Sequence, residues 1–293
     1  MRVLITGVNG QLGMELTRVL AGSVEVIGRD LPEWDITRPE CAQQVADLTP
    51  GWVIHAAAHT DVDGCERDPG RAMAVNAEGT RHVAEGCRRA GASLVYLSTD
   101  FIFDGTKRTP YLETDVPAPL SAYGRSKLEG ERIAQALAPR WAIVRTAWLY
   151  GVHGKNFVKT ILGKAAAGES LRVVNDQVGC PTYAADLAEA LALLVSRGMT
   201  GLFHLTNAGA CSWYDFTREI LRQGGFPATR VDPITSAALG RPAARPAYSV
   251  LAPAAWQAAG QRPLRPWPEA LAAMLAAWRA AGDAATPAFP SPR

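Results

Sequence analysis

Val3-Leu4-Ile5-Thr6-Gly7-Val8-Asn9-Gly10-Gln11-Leu12-Gly13 decides the fold. A short apolar run predicts a buried strand over 3–6, glycines spaced G-x-x-G-x-x-G follow at once, and helical periodicity begins at 11. Glycine permits both the tight turn and a close approach of backbone to a pyrophosphate, whose charge then meets the positive end of the helix. A glycine-rich turn on its own also serves as a plain strand-to-helix connection. Its place after the first strand points to nucleotide binding.

Outward from this turn the pattern repeats. Strands are predicted over 24–28, 52–55, 94–98 and 142–145, and helices over 11–21, 39–48, 69–90 and 121–137. Short apolar strands alternating with amphipathic helices imply βαβ units, hence a doubly wound parallel sheet of Rossmann type covered on both faces. Beyond residue 150 the pattern loosens. Helices are expected over 156–167, 184–196 and 213–222, strands over 171–174 and 202–205, a proline-rich stretch over 225–268, and a last helix over 268–281. The expected division is a cofactor domain over 1–150, completed by parts of 171–222, and a substrate domain from 151–170 and 223–281, with 282–293 a disordered tail.

Composition narrows the function. The 293 residues carry 30 Lys and Arg against 28 Asp and Glu, a net charge of +2, so no global field exists to gather nucleic acid or an anionic membrane. Cys41, Cys65, Cys87, Cys180 and Cys211 form no CxxC or Cys/His cluster, which argues against a disulfide framework and a zinc site. No stretch approaches the roughly 20 apolar residues of a membrane span, and the chain enters a strand at once, leaving no room for a signal peptide. A cytoplasmic protein is expected.

Strand two ends at Gly28-Arg29-Asp30, where a dinucleotide fold reads the adenosine ribose. An acid there bonds the 2′-hydroxyl of NAD, whereas an arginine accepts the 2′-phosphate of NADP, and both residue types are present. Arg29 could equally be a solvated surface charge. Ala56-Ala57-Ala58 ends the third strand with small side chains, leaving room for a cofactor across the sheet or for close packing.

Tyr123-Gly124-Arg125-Ser126-Lys127 sets a tyrosine and a lysine four apart on one helix face, downstream of Ser98-Thr99-Asp100 at the end of strand four. A nearby ammonium favours phenolate and is expected to pull the Tyr123 pKa down from about 10. Such a tyrosine can protonate a carbonyl oxygen as hydride reaches carbon, with Thr99 holding the same oxygen. His59 is a tempting base but reads better as a satisfied hydrogen bonder, and His55, His82, His153 and His204 read as structural. Arg241 and Arg245 lie in a proline-rich loop, as grips for a diphosphate or as solvated charges.

These segments resemble the extended short-chain dehydrogenase/reductases and, within them, the dTDP-4-dehydrorhamnose reductase family. The similarity runs from Met1 to about Ala281 through Asp35-Ile36-Thr37, the run 55–63, Asn76, the run 98–105, Arg145 to Tyr150, Asn156-Phe157, the run 175–182 and Arg245-Pro246. It implies NADPH or NADH as cofactor, and reduction of the C4 keto group of dTDP-4-dehydro-L-rhamnose to dTDP-L-rhamnose. Gly7, Gly10, Gln11, Leu12, Gly13, Arg29 and Asp30 would meet the dinucleotide, Asp35 and Ile36 its adenine, and Ala57, Ala58, His59 and Thr60 its flank. Tyr123 would be the proton donor, Lys127 would hold the nicotinamide ribose, and Thr99, Asp100, Trp148, Gln177 and Arg245 would meet the dTDP-sugar.

Three departures stand out. Tyr248 replaces an expected Asn, Phe101 replaces a common Tyr, and the glutamate partner that would let Glu15 bind magnesium at a dimer interface is absent after Thr182, so no metal is expected. A homodimer is the assembly the resemblance suggests. Competing readings are another nucleotide-sugar reductase, epimerase or dehydratase, or a non-catalytic subunit resembling the methionine adenosyltransferase β subunit.

Overall fold

The computed structural model describes residues 1–282; the expected tail lies almost wholly outside the described residues. Six strands, β1 (Arg2–Thr6), β2 (Glu25–Arg29), β3 (Trp52–His55), β4 (Ser93–Thr99), β5 (Arg140–Thr146) and β6 (Gly201–His204), form one parallel sheet in the order 6-5-4-3-1-2. This is the doubly wound fold expected. The order reverses at β1, so the crevice beyond its carboxyl end is where such sheets bind ligands.

Strand periodicity explains both faces. Val95, Leu97 and Val144 point to one side, against α1 (Gln11–Leu20) and a later leucine-rich helix, while Leu94, Tyr96 and Ile143 point to the other. That second face is covered by α2 (Cys41–Asp47) and by helices on either side of β4. A short helix, α3 (Val62–Arg67), capped by Asp61, was not legible in the sequence.

The helix expected over 69–90 is interrupted. It runs as α4 (Pro69–Met73), a π-helical turn (Ala74–Glu78) and α5 (Gly79–Ala90). Such turns are frequent at functional sites, and this one contains the buried Asn76. Strand two extends through Arg29 and not only to Gly28, placing Arg29 beside Thr6 at the sheet edge.

Helix α6 (Ala122–Leu137) starts where Ser121 accepts the Gly124 amide. In the second half, α7 (Phe157–Ala166), α9 (Trp213–Gly224) and the last helix (Trp267–Ala281) enclose a separate apolar cluster, while α8 (Ala184–Ser196) packs back on the sheet beside α1. Leu171–Val174 pairs with Val231–Ile234, so part of the proline-rich stretch is strand. Among the described residues no helix is long and apolar enough to cross a membrane.

Candidate active site

A cleft of about 830 Å³ follows the carboxyl ends of β1 to β5. Its first end is the glycine turn. Gly7 has φ +72°, and a Cβ there would fall 2.7 Å from the Ala57 nitrogen; a Cβ at Gly13 would fall 2.2 Å from the Gly7 carbonyl oxygen. No side chain caps α1, leaving its first amides, from Gln11 on, free to meet an anion. Asp30 accepts the Asn9 and Leu31 amides, both at 2.9 Å, and so ties the turn to the end of β2. Arg29 lines the same end and donates to the Gly28 carbonyl.

Further along, Asp35 accepts the amide and hydroxyl of Thr37, which hold its carboxyl below the usual range. Asp35 and Ile36 line the cleft with Ala57, Ala58, His59 and Thr60. Asn76, from the π turn, bonds both main-chain groups of His59, at 2.8 and 3.1 Å, and Ser126 of α6 at 3.0 Å. One buried amide thus joins the third-strand edge to the helix that carries Tyr123. His55 is wedged between Thr6 and Thr80 and held near pKa 3 by burial, so it stays neutral.

The far end holds Thr99, Tyr123 and Lys127. Here the electrostatics differ from expectation. Burial raises the Tyr123 phenol above its usual value, against the opposing effect of Thr99. That ammonium lies 4.1 Å from the Tyr96 ring centroid, a cation–π contact. Lys127 is 3% exposed and donates no hydrogen bond among the described residues; burial lowers its pKa to about 7, opposed by Glu131. An ammonium on the cleft floor that donates no hydrogen bond suits ligand hydroxyls.

Asp100 lines the cleft with Thr99. It is 1% exposed, accepting Thr99 Oγ1 at 3.0 Å and Ser249 Oγ at 2.5 Å, so both oxygens are engaged. Burial raises its pKa to about 6. Ser249 follows the Tyr248 departure in the sequence and has no role assigned to it there.

A second cavity, about 540 Å³, adjoins the far end and shares Thr60, Phe101, Trp148, Trp213 and Arg245 with the cleft. Gln177 lines this cavity alone and donates to Ser236. Arg245 grips Asp63 through both terminal nitrogens, at 3.1 and 3.0 Å, and Arg241 reaches the same carboxylate at 3.1 Å. Two guanidiniums on one carboxylate leave net positive charge at the wall, so Asp63, not singled out for any role in the sequence, presents both arginines.

Residues 1–280 match the family described as RmlD substrate binding domain. The chain belongs to this family. It is 44% identical over 290 residues to the dTDP-4-dehydrorhamnose reductase of Mycobacterium tuberculosis, covering 94% of this chain and 93% of the other. It is 41% identical over 273 residues to the dTDP-4-keto-6-deoxy-D-glucose reductase of Streptomyces niveus, covering 92% and 95%. A solved dTDP-4-dehydrorhamnose reductase from Bacillus anthracis, in complex with NADP, superposes with a TM-score of 0.90 at 38% identity, covering 94% and 99%.

Behind the site this member of the family carries a buried ion pair. Glu131 of α6 forks onto Arg145 of β5 at 2.9 and 2.7 Å and accepts Ser98 Oγ at 2.5 Å, and the Arg145 guanidinium also stands over the Phe103 ring. His204, near pKa 3 through burial, touches Arg145 and stays neutral. Glu15 is taken up by Arg18 and lies 3.7 Å from His153. No group of three His, Cys, Asp or Glu able to hold a metal occurs among the described residues.

Proposed function

We propose that the chain is an NAD(P)H-dependent reductase that converts the C4 keto group of dTDP-4-dehydro-L-rhamnose to the hydroxyl of dTDP-L-rhamnose. The observation that carries this reading is one cleft with a side-chain-free glycine cradle at one end and Thr99, Tyr123 and Lys127 at the other. The cradle fits a dinucleotide diphosphate, and Lys127, with its hydrogen bonds unused, fits the hydroxyls of its ribose. The chemistry that a bound reduced nicotinamide supplies is hydride transfer to the C4 carbon.

The remaining roles belong to the chain. Tyr123 gives its phenolic proton to the keto oxygen; its raised pKa keeps that proton in place at neutral pH until it is needed. Thr99 orients the same oxygen, with Asp100 behind it. Lys127, held in its charged form by the hydrogen bonds it donates to ligand hydroxyls, stabilises the phenolate that results. In this reading residues 1–150, completed by parts of 171–222, form the cofactor domain, residues 151–170 and 223–281 form the substrate domain, and the enzyme works in the cytoplasm.

Oxidation of NADPH and NADH, followed by absorbance, tests the assignment. Turnover is expected to be fastest with dTDP-4-dehydro-L-rhamnose, with net consumption of cofactor, which an epimerase does not show. Faster turnover of dTDP-4-keto-6-deoxy-D-glucose would favour the second reading, which the Streptomyces niveus relative supports. Because Arg29 and Asp30 both line the cleft, both cofactors are expected to serve; a preference beyond about a thousandfold in kcat/KM would refute dual use.

Lys127 makes a further prediction. With a pKa of about 7 in the free protein, it is largely neutral in mildly alkaline solution. Hydrogen bonds to its charged form raise that pKa, so cofactor binding there should take up a sizeable fraction of one proton. Calorimetry in two buffers of different ionisation enthalpy reads this directly, and the uptake should vanish in Lys127→Met.

A further inference from the structure

Trp148 is one of two residues other than glycine with left-handed backbone among the described residues, at φ +46°. A bulky residue keeps that conformation only where its surroundings over-determine it. Here they do. Its indole stacks on Trp213 with ring centroids 3.6 Å apart and planes 9° apart, and Phe157 braces Trp213 at 4.5 Å. A Cβ at Gly179 would fall 2.6 Å from the Trp148 indole, a rigid ring with no flexible end to yield.

Local pairing explains how the slot is built. Gly179 faces Cys211 across a two-residue antiparallel ladder, and Trp213 follows that ladder directly as the first residue of α9, whose capping box joins Ser212 and Asp215. The stack stands where the two cavities meet, since both indoles line each of them.

We propose that Trp213 is a positioning residue: together with the bare Gly179, it holds the Trp148 indole as a flat apolar wall at this junction, and the C–H face of the substrate's pyranose seats against that wall. An aromatic face carries negative charge density that suits such a surface. The ligand's identity rests on the function proposed above; the stack does not.

Circular dichroism and kinetics test it together. Two indoles this close couple their transitions, so the ligand-free wild type should show an aromatic circular-dichroism signal that Trp213→Phe largely removes. Trp213→Ala should raise KM for dTDP-4-dehydro-L-rhamnose by about tenfold with kcat changed by less than about threefold, the signature of lost seating with the chemistry intact. Trp213→Phe, which keeps a flat ring, should recover most of that KM, and Gly179→Ala should reproduce the defect. Unchanged KM in both Trp213→Ala and Gly179→Ala, or a loss confined to kcat, would overturn the positioning role. Aromatic circular dichroism that Trp213→Phe leaves unchanged would overturn the stack, whereas an intact signal without turnover of the sugar nucleotide would count against the functional reading alone.

Discussion

Replacing Tyr123 by phenylalanine is expected to lower kcat by about 10² to 10⁴, some 3–5 kcal/mol of barrier, while cofactor affinity stays within a few-fold. The ring itself is kept, including its edge-to-face contact with Phe101 at 5.6 Å, so the buried packing survives and only the proton donor is lost. Thr99 loses its neighbour but remains anchored to Asp100. Single-turnover measurement with preloaded NADPH separates chemistry from binding. Turnover near the wild-type rate would remove Tyr123 from the mechanism.

The second large effect is on stability. Glu131→Ala would strand the Arg145 guanidinium, 4% exposed, in the protein interior and leave Ser98 without its acceptor. Removing one partner of a buried pair costs about 3–5 kcal/mol, because the remaining charge has no water to replace it. For a chain of this size that amounts to a drop in Tm on the order of 10 °C. Thermal unfolding of the variant measures it, and a shift within about a degree would mean that the pair is solvated in solution. The same carboxylate opposes the lowering of the Lys127 pKa, so the variant should also weaken the charged form of Lys127.

Much of this was legible along the chain. Gly7 to Gly13 announce the cradle because a local turn needs glycine wherever backbone must come close, and the Tyr123–Lys127 spacing announces a shared helix face because helical geometry is local. Short, continuously apolar strands alternating with amphipathic helices likewise announce a sheet covered on both sides. The less legible features are non-local. Asp63 meets Arg241 and Arg245 across 178 and 182 residues, and Ser249 meets Asp100 across 149. No spacing rule connects such positions.

The electrostatic expectation for Tyr123 failed for a related reason. Position on a helix brings Lys127 to the same face, but the direction its flexible stem takes is set by Tyr96 on the neighbouring strand, and the depth of burial by everything packed above it. Short-range periodicity by itself determined the parallel sheet, the glycine cradle and the residue types on the cleft floor. The tertiary structure alone decided which of those groups carry charge, which carboxylate stands behind Thr99, and how the arginines and stacked indoles wall the second cavity. Burial and long-range pairing set these outcomes, and both arise only when distant segments pack.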